Sequence, residues 1–352
     1  MTQAHWHVFH GSGEPRPDGW DAVPPPMVAR TFSGGPLVEF PADPPDQPER
    51  MNRKLGLDGI GAHQLRADDL DVINAALLCR RPLLVTGAPG LGKSSLAYLL
   101  ARELGLGAVL HWPITSRSSL LDGLYRYDAL RRFEEAQIGR LARPQADPPR
   151  PVESDDPGVA DYVTLGPLGT ALLPYGKPRV LLIDEIDKAD IDLPNDLLHV
   201  FENGEYEIDE LRRIRAYQPV AEVFTQGNRE RVPIREGSVQ CNAFPVIVMT
   251  SNGEREFPAA FLRRCLQLHL EKPEREQLER VVAAHLGGAV VADYGDVIDT
   301  FIRRRGELGA LPTDRLLIAL HVLIRAGHSE AGQHRDRLEL AERLMQPTDA
   351  RS

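Results

Sequence analysis

Short apolar runs alternate along the middle of the chain with longer stretches in which apolar side chains recur at helical spacing. The runs predict buried strands at residues 82–86, 108–112, 179–184 and 245–250. The helical spacing predicts helices at residues 68–78, 94–104, 120–125, 129–141 and 193–202. This alternation is typical of an α/β fold built on a parallel sheet, which we assign to residues 56–271.

The C-terminal part of the chain has only helical periodicity. Helices are predicted at residues 274–286, 292–305, 313–326 and 334–345, so residues 272–346 are expected to form a separate helical lid domain, followed by a tail at 347–352. Two segments of the α/β part lack a clear period. Residues 143–159 are rich in Pro and Asp and predict a loop, and residues 205–224 predict irregular or hairpin structure.

Residues 1–55 form an N-terminal arm of different composition. Ten of the 29 prolines lie in its first 50 residues, and no helical period is sustained, so the arm is expected to be extended or irregular. Its aromatic side chains are Trp6, Phe9, Trp20, Phe32 and Phe40. The arm is therefore either a solvated tail or a segment whose aromatic residues dock on the core or on a neighbouring subunit.

Composition restricts the class of protein. The formal net charge of -10 favours protein partners over nucleic acid, and the 42% hydrophobic content suffices for a buried core. No window approaches about 18 consecutive apolar residues, and the first residues lack the basic and apolar regions of a signal peptide. The three cysteines, Cys79, Cys241 and Cys265, lie far apart, which disfavours a zinc site or disulfide framework. A cytoplasmic location without a membrane span is expected.

A glycine-rich segment joins the first predicted strand to the next helix. It reads Gly87-Ala88-Pro89-Gly90-Leu91-Gly92-Lys93-Ser94, followed by Ser95. In the pattern G-x-x-x-x-G-K-[ST], glycines let consecutive N–H groups turn towards phosphate oxygens, and the helix adds the positive end of its dipole. Lys93 is expected to reach the β- and γ-phosphates, and Ser94 to ligate Mg²⁺. We include Ser95 among the nucleotide-binding residues. A simple glycine turn is disfavoured by the strand before it and the helix after it.

The predicted strand at 179–184 ends in two carboxylates. Such a pair is common at strand ends. Downstream of a phosphate-binding loop (P-loop), such as the one at residues 87–94, it becomes a specific indication of a nucleotide-hydrolysing site. Asp184 is then expected to hold Mg²⁺ through water, and Glu185 to act as general base on the attacking water. The nearby Asp187 and Lys188 are expected to be solvated or interface residues.

Polar residues further along the chain complete the pattern. Asn252, after the strand at 245–250, either closes a turn or orients the lytic water. Arg263 and Arg264 end a short predicted helix and either lie on a solvated face or project into the nucleotide of a neighbouring subunit. Arg315 opens a lid helix, where a cation is unfavourable for the helix dipole unless a phosphate lies nearby.

In this order the motifs resemble those of the AAA+ ATPases, and more narrowly the MoxR-type ATPases. The narrower likeness rests on Gly166-Pro167-Leu168, Asp184-Glu185-Ile186-Asp187-Lys188-Ala189 and Glu202-Asn203-Gly204, within residues 60–330. The resemblance implies ATP and Mg²⁺ as cofactors, assembly into a six-membered ring, and inserts near 113–177 and 205–225. The roles that it implies are Walker A at 87–94, Walker B at Asp184 and Glu185, sensor 1 at Asn252, the arginine finger at Arg264 with Arg263 as a second, and sensor 2 at Arg315.

The chain departs from the family at several points. Where the family has an acidic residue and then Arg-Phe, this chain has Arg263-Arg264-Cys265, which leaves open which arginine acts. Asp187 replaces the family's Asn. The arm resembles that of a MoxR-like subgroup found in bacterial conflict systems beside von Willebrand A-domain proteins, which suggests such a partner.

Three functions remain open at this point. The leading hypothesis is an ATP-driven ring that remodels or activates a protein partner. The second is a nucleic-acid machine, such as a helicase loader or a nucleotide-driven restriction subunit. Its basic residues would be Arg126, Arg131 and Arg132, but acidic residues share their segment, so a nucleic-acid partner is disfavoured. The third is a signalling switch with low turnover, which the full set of catalytic groups disfavours.

Overall fold

The computed structural model describes residues 5–55, 65–142, 158–226, 231–308, 311, 313–326 and 334–345. Its α-helices are α1 (Gln47–Leu55), α2 (Ala67–Cys79), α3 (Ser95–Glu103), α4 (Leu120–Leu124), α5 (Ala129–Ala142), α6 (Pro167–Ala171), α7 (Leu193–Asn203), α8 (Asp209–Ile214), α9 (Ala259–Leu262), α10 (Arg275–Leu286), α11 (Gly288–Asp293), α12 (Gly295–Leu308), α13 (Thr313–Arg325) and α14 (His334–Leu344). Its strands are β1 (Leu83–Thr86), β2 (Leu110–Pro113), β3 (Tyr125–Tyr127), β4 (Val163–Leu165), β5 (Val180–Asp184), β6 (Glu205–Glu207), β7 (Val220–Phe224), β8 (Arg231–Arg235), β9 (Ser238–Gln240), β10 (Val246–Ser251) and β11 (Leu266–His269).

A parallel five-stranded sheet lies at the centre of the α/β part, in the order β11-β1-β10-β5-β2. The apolar runs predict four of these strands, and the first four residues of β5 are each at most 1% exposed. The fifth strand, β11, was not predicted, because Leu266-Gln267-Leu268-His269 alternates in polarity at the sheet edge. The predicted parallel α/β core is confirmed. Since all five strands run the same way, their carboxyl ends meet along one edge of the sheet.

A second sheet of six short strands flanks the core, in the order β3-β4-β7-β8-β9-β6. Residues 205–224, predicted to be irregular or hairpin structure, contain two strands that pair with later strands and not with each other. There β6 pairs with β9, β7 pairs with β8, and the helix α8 lies between β6 and β7. The predicted loop at 143–159 lies largely outside the described residues, which resume at 158.

The N-terminal arm is docked on the core over residues 5–55. Phe9 is fully buried, and the Asn74 side chain accepts from the Val8 and Phe9 N–H groups at 2.8 and 2.9 Å. Further along, the Arg80 guanidinium lies 4.6 Å from the Trp20 ring centroid. These contacts exclude a solvated tail for the described part of the arm. The arm is also less irregular than expected, since it ends in the helix α1, which packs against α3.

The last five helices, α10 to α14, enclose an apolar core of their own, which includes the fully buried Leu278, Phe301 and Leu320. The four helices predicted here are present, and α11 is an additional short one. Among the described residues, no helix combines the length and the apolar character that crossing a membrane requires.

Candidate nucleotide site

The predicted nucleotide-binding groups converge at the carboxyl edge of the central sheet. The P-loop follows β1, Asp184 ends β5, and Asn252 follows β10, and these three strands are neighbours. Parallel pairing places the three strand ends side by side, so residues about 65 to 160 positions apart in sequence come within hydrogen-bond distance.

The P-loop owes its shape to its glycines. Gly87, Gly90 and Gly92 have φ values of 146°, 77° and 74°, a region that residues with a Cβ rarely adopt. A Cβ at Gly87 would also lie 2.6 Å from the Leu270 carbonyl oxygen. The loop therefore depends on glycine for both its conformation and its close approach to the end of the sheet.

Lys93 lies inside this loop. Its ammonium donates to the carbonyl oxygens of Gly87 and Ala88 at 2.8 and 2.9 Å, and to Asn252 Oδ1 at 2.7 Å. Burial lowers the Lys93 pKa, and the neighbouring carboxylates Asp187, Asp184 and Glu185 oppose that shift. The three acceptors of this buried ammonium are neutral oxygens. It lies in a loop whose N–H groups are suited to binding an anion, so the loop and the lysine together favour an anionic ligand.

Asp184 receives three side-chain contacts. Ser94 and Thr250 each donate a hydroxyl hydrogen to its Oδ1 at 2.6 Å, and His111 Nε2 lies 3.4 Å from its Oδ2. Burial acts to raise the Asp184 pKa, but the hydrogen bonds from His111, Ser94 and Thr250 outweigh it and hold the pKa far below its usual value. Asp184 is therefore ionised, as a metal ligand must be.

Glu185 adopts a left-handed backbone conformation, with φ of 61°. Its N–H donates to Thr250 Oγ1 at 2.8 Å, which fixes the residue at the end of the sheet. Its carboxylate is paired with the Lys188 ammonium at 2.6 Å, and both side chains are about 40% exposed. Lys188 is thus a partner of Glu185 within its own chain rather than simply a solvated residue.

Asp187 is not solvated, contrary to the expectation from sequence. It is 2% exposed, and its Oδ2 accepts from the N–H groups of Asn252 and Glu254 at 2.8 and 3.1 Å. These bonds fix the backbone of Asn252, whose side chain in turn accepts from Lys93. Asp187 is therefore a structural support of the site.

Thr250 and His111 join the site without having been predicted from sequence. Thr250 is the penultimate residue of β10 and His111 lies within β2, the two strands beside β5, where a polar residue in an otherwise apolar run is a usable signal. Ser95, predicted to bind nucleotide, donates its hydroxyl to the Lys54 carbonyl oxygen at 3.0 Å and so ties α3 to the arm.

The two candidate finger arginines lie after α9. Arg264 is half-buried, and its Nε lies 3.5 Å from Glu202 Oε2 at the end of α7. Arg263 is exposed, and its carbonyl oxygen accepts from Arg81 at 2.9 Å. None of the hydrogen bonds described for Lys93, Ser94 or Asp184 involves either arginine.

A cavity of about 450 Å³ opens beside the P-loop, between the core and the helical lid. Gly90, Gly92 and Ser95 line it on the core side, and Thr313 and Asp314 of α13 line it on the lid side. Arg315 is half-buried in the same turn of α13, but it is not among the described residues that line this cavity.

Comparison with known families agrees with this geometry. The model of the AAA domain of the dynein-related subfamily matches residues 82–265, which is more than half of the chain. The chain belongs to the AAA family. The matched AAA domain begins just before β1 and ends just before β11, so it contains the P-loop, Asp184, Asn252 and both candidate finger arginines. No curated protein matched the chain in a sequence comparison. The AAA domain makes the chain a member of a family of nucleotide-binding ATPases.

Proposed function

We propose that this chain is a MoxR-like AAA+ ATPase that hydrolyses ATP within an oligomeric ring and uses the cycle to remodel or activate a protein partner. The observation that carries the proposal is the convergence of Lys93, Ser94, Asp184 and Asn252, joined by hydrogen bonds of 2.6 to 2.7 Å. A structural glycine turn would not require a buried lysine beside an ionised aspartate.

The residues present fit a nucleotide and its magnesium ion. The glycine-rich loop offers N–H groups for phosphate oxygens, and the buried Lys93 supplies a positive charge. Ser94 and the ionised Asp184 are oxygen donors of the kind that Mg²⁺ prefers. When bound, Mg²⁺ would neutralise the charge on the β- and γ-phosphates. The cavity of about 450 Å³ beside Gly90 and Gly92 offers room for the nucleoside.

The placement of these groups supports the following reaction. Glu185 accepts a proton from the attacking water, whose oxygen forms a bond to the γ-phosphorus as the bond to the β–γ bridging oxygen breaks. Asn252 orients that water, and Lys93 binds the phosphate oxygens on which negative charge accumulates. ADP and phosphate leave, and the proton on Glu185 returns to solvent.

Assembly into a ring is supported by the position of Arg264. Its Nε lies 3.5 Å from Glu202 Oε2, and it takes no part in the hydrogen bonds described for Lys93, Ser94 and Asp184 of its own chain. In our proposal Arg264, with Arg263 as a second, acts on the nucleotide of the neighbouring subunit and stabilises the charge of the transition state there. Arg315 contributes from the lid once nucleotide closes the cavity.

A protein partner is favoured over nucleic acid by the surface of α5. Leu130, Phe133 and Ile138 of this helix are 61 to 68% exposed, an apolar surface suited to protein contact. Two of the three basic residues of the segment have partners: Arg131 pairs with Glu135, and Arg132 donates to the Tyr127 hydroxyl, each at 2.7 Å. A von Willebrand A-domain protein is the partner class that the subgroup resemblance suggests.

Turnover per subunit, measured against protein concentration, tests the proposal. We expect the rate to rise steeply over the concentration range in which the ring assembles, as followed by light scattering. A rate that is the same for single subunits and for the ring would contradict hydrolysis between subunits. Stimulation by DNA or RNA that disappears with salt would favour a nucleic-acid motor. Tight nucleotide binding with almost no turnover would favour a signalling switch.

A further inference from the structure

The N-terminal arm is anchored to the core by a buried arginine. Arg30 is 8% exposed, and it donates through Nε and Nη2 to the Arg80 carbonyl oxygen at 3.2 and 2.8 Å. Its Nη1 donates to the carbonyl oxygens of Phe201 and Glu202 at 2.8 and 3.1 Å. One guanidinium thus joins the arm to two separate parts of the core.

The second of these parts is the end of α7. The last four carbonyl groups of a helix have no partner within it, and a cation there is favoured by the helix dipole. Arg30 satisfies two of these carbonyls. Its guanidinium also lies 4.3 Å from the Phe244 ring centroid and 5.1 Å from that of Phe32, two rings that stack on each other, so it packs against an aromatic pair.

Both anchor points lead directly to the candidate finger. Glu202, whose carbonyl oxygen is bound by Arg30, carries the carboxylate that lies 3.5 Å from Arg264 Nε. Arg81, next to the carbonyl of Arg80, donates to the Arg263 carbonyl oxygen at 2.9 Å. The segment of Arg263 and Arg264 therefore contacts both parts of the core that Arg30 connects. Arg81 contacts its backbone, and Glu202 of α7 contacts the Arg264 side chain.

We infer that Arg30 is a positioning residue for Arg264. Through Arg30 the arm fixes the position of the arginine finger that one subunit presents to its neighbour. This inference rests on the proposed function, because it requires a finger that acts in trans. An arginine that only stabilised its own subunit would influence the nucleotide site of that subunit at least as strongly. The two roles therefore differ in which subunit of a pair loses activity.

Rings assembled from two different mutant subunits distinguish a positioning role of Arg30 from a purely structural one. The acceptor subunit carries Arg264→Ala, so it binds nucleotide but lacks the finger. The donor subunit carries Lys93→Ala, so it supplies Arg264 but lacks the phosphate-binding lysine. Neither hydrolyses ATP alone, and their mixture restores hydrolysis at sites formed between them. Arg30→Met is then added to the donor in one mixture and to the acceptor in another.

We expect Arg30→Met to lower the turnover of the mixture at least tenfold in the donor and less than twofold in the acceptor. Arg16→Met in the donor is the matched control, because Arg16 is an arm arginine that contacts His10 within the arm, at 3.0 Å, and not α7. It should leave the rate unchanged. Arg30→Lys in the donor keeps the charge but not the forked geometry. It should cause a smaller loss, and it gives the test a second variant if Arg30→Met does not fold.

Two results would overturn the inference. Equal losses in donor and acceptor would make Arg30 a general structural support, and no loss in either would remove any link to the finger. Failure of the mixture without Arg30 variants to hydrolyse ATP would overturn the finger in trans, and this inference with it. An inactive mixture is observed before Arg30 is substituted, so it can be told apart from an effect of the Arg30 variants.

Discussion

Glu185 and Lys188 form an ion pair of 2.6 Å within one turn of the same chain. The candidate general base is therefore engaged by the cation three residues after it. The contact engages only Oε2 of the Glu185 carboxylate, but it holds the group towards Lys188. A carboxylate held in this way turns less freely towards the attacking water, so the pair opposes hydrolysis.

Lys188→Met should raise the basal ATPase rate, because Glu185 can then turn freely towards the attacking water. An exposed pair contributes up to about 1 kcal/mol, so we expect an increase of about two- to fivefold, with little change in thermal stability. Steady-state turnover at saturating ATP measures it. Lys177→Met is the matched control, since Lys177 donates to the Gly105 carbonyl oxygen, far from Glu185 in the fold. A fall in the rate of the Lys188 variant would mean that Lys188 assists catalysis instead.

Glu185→Gln should bind ATP normally and hydrolyse it at least about 100-fold more slowly, because the amide cannot accept the proton. Fluorescent-nucleotide titration and single-turnover hydrolysis separate the two effects. Glu254→Gln, at an exposed position two residues after Asn252, is the control and should hydrolyse ATP at the normal rate. Comparable loss in both variants would contradict the role of Glu185.

Asp187→Ala should destabilise the protein and impair hydrolysis, because it leaves the N–H groups of Asn252 and Glu254 without their acceptor. Loss of a buried acceptor costs about 1–3 kcal/mol. Asp187→Asn keeps an oxygen in the same place and should retain most of both properties. Denaturant unfolding and ATPase rates test the pair. Equal damage by Asn and Ala would show that the charge, and not the acceptor, matters.

The convergence of the P-loop, Asp184 and Asn252 at one edge of the sheet could be predicted from sequence, because the signals are local. The P-loop is contiguous, and Asp184 and Asn252 each follow an apolar run that predicts a strand. The sheet topology then brings them together, and the observed distances agree. The polar residues at the ends of buried strands were therefore sufficient to predict which side chains come together.

The remaining features depend on pairing between distant segments. The strands β3, β4, β6 and β9 have three residues each, too few for a period to be measured. The burial of Asp187 arises from N–H groups 65 and 67 residues later, and the contact between Glu202 and Arg264 from a turn after α9. Nothing in the local sequence around Asp187 or Glu202 specifies such partners.

Asp184 should make the stability of the protein depend on pH in the acid range. Its pKa is lower in the folded state, so its ionised form stabilises the fold above about pH 3.9, the pKa of aspartate in an unfolded chain. That contribution is lost as the pH falls below this value towards the folded-state pKa. The difference in unfolding free energy between wild type and Asp184→Asn should therefore shrink between pH 5 and pH 3. Asp192→Asn, at an exposed position, controls for the loss of one negative charge. A difference that grows as the pH falls would contradict the lowered pKa.

Arg264→Ala and Arg263→Ala should lower turnover to very different extents, because the two side chains have different surroundings. Arg264 is half-buried and oriented by Glu202, whereas Arg263 is exposed and is contacted through its backbone carbonyl oxygen. An oriented side chain loses less conformational entropy when it reaches a phosphate, which favours Arg264 as the finger. We expect Arg264→Ala to lower turnover in the ring by about 100-fold or more with nucleotide affinity retained, and Arg263→Ala to lower it by less than about tenfold. Ring assembly must be verified for both variants by light scattering. A larger loss from Arg263→Ala, in assembled rings, would assign the finger to Arg263 and leave Arg264 as a contact of Glu202.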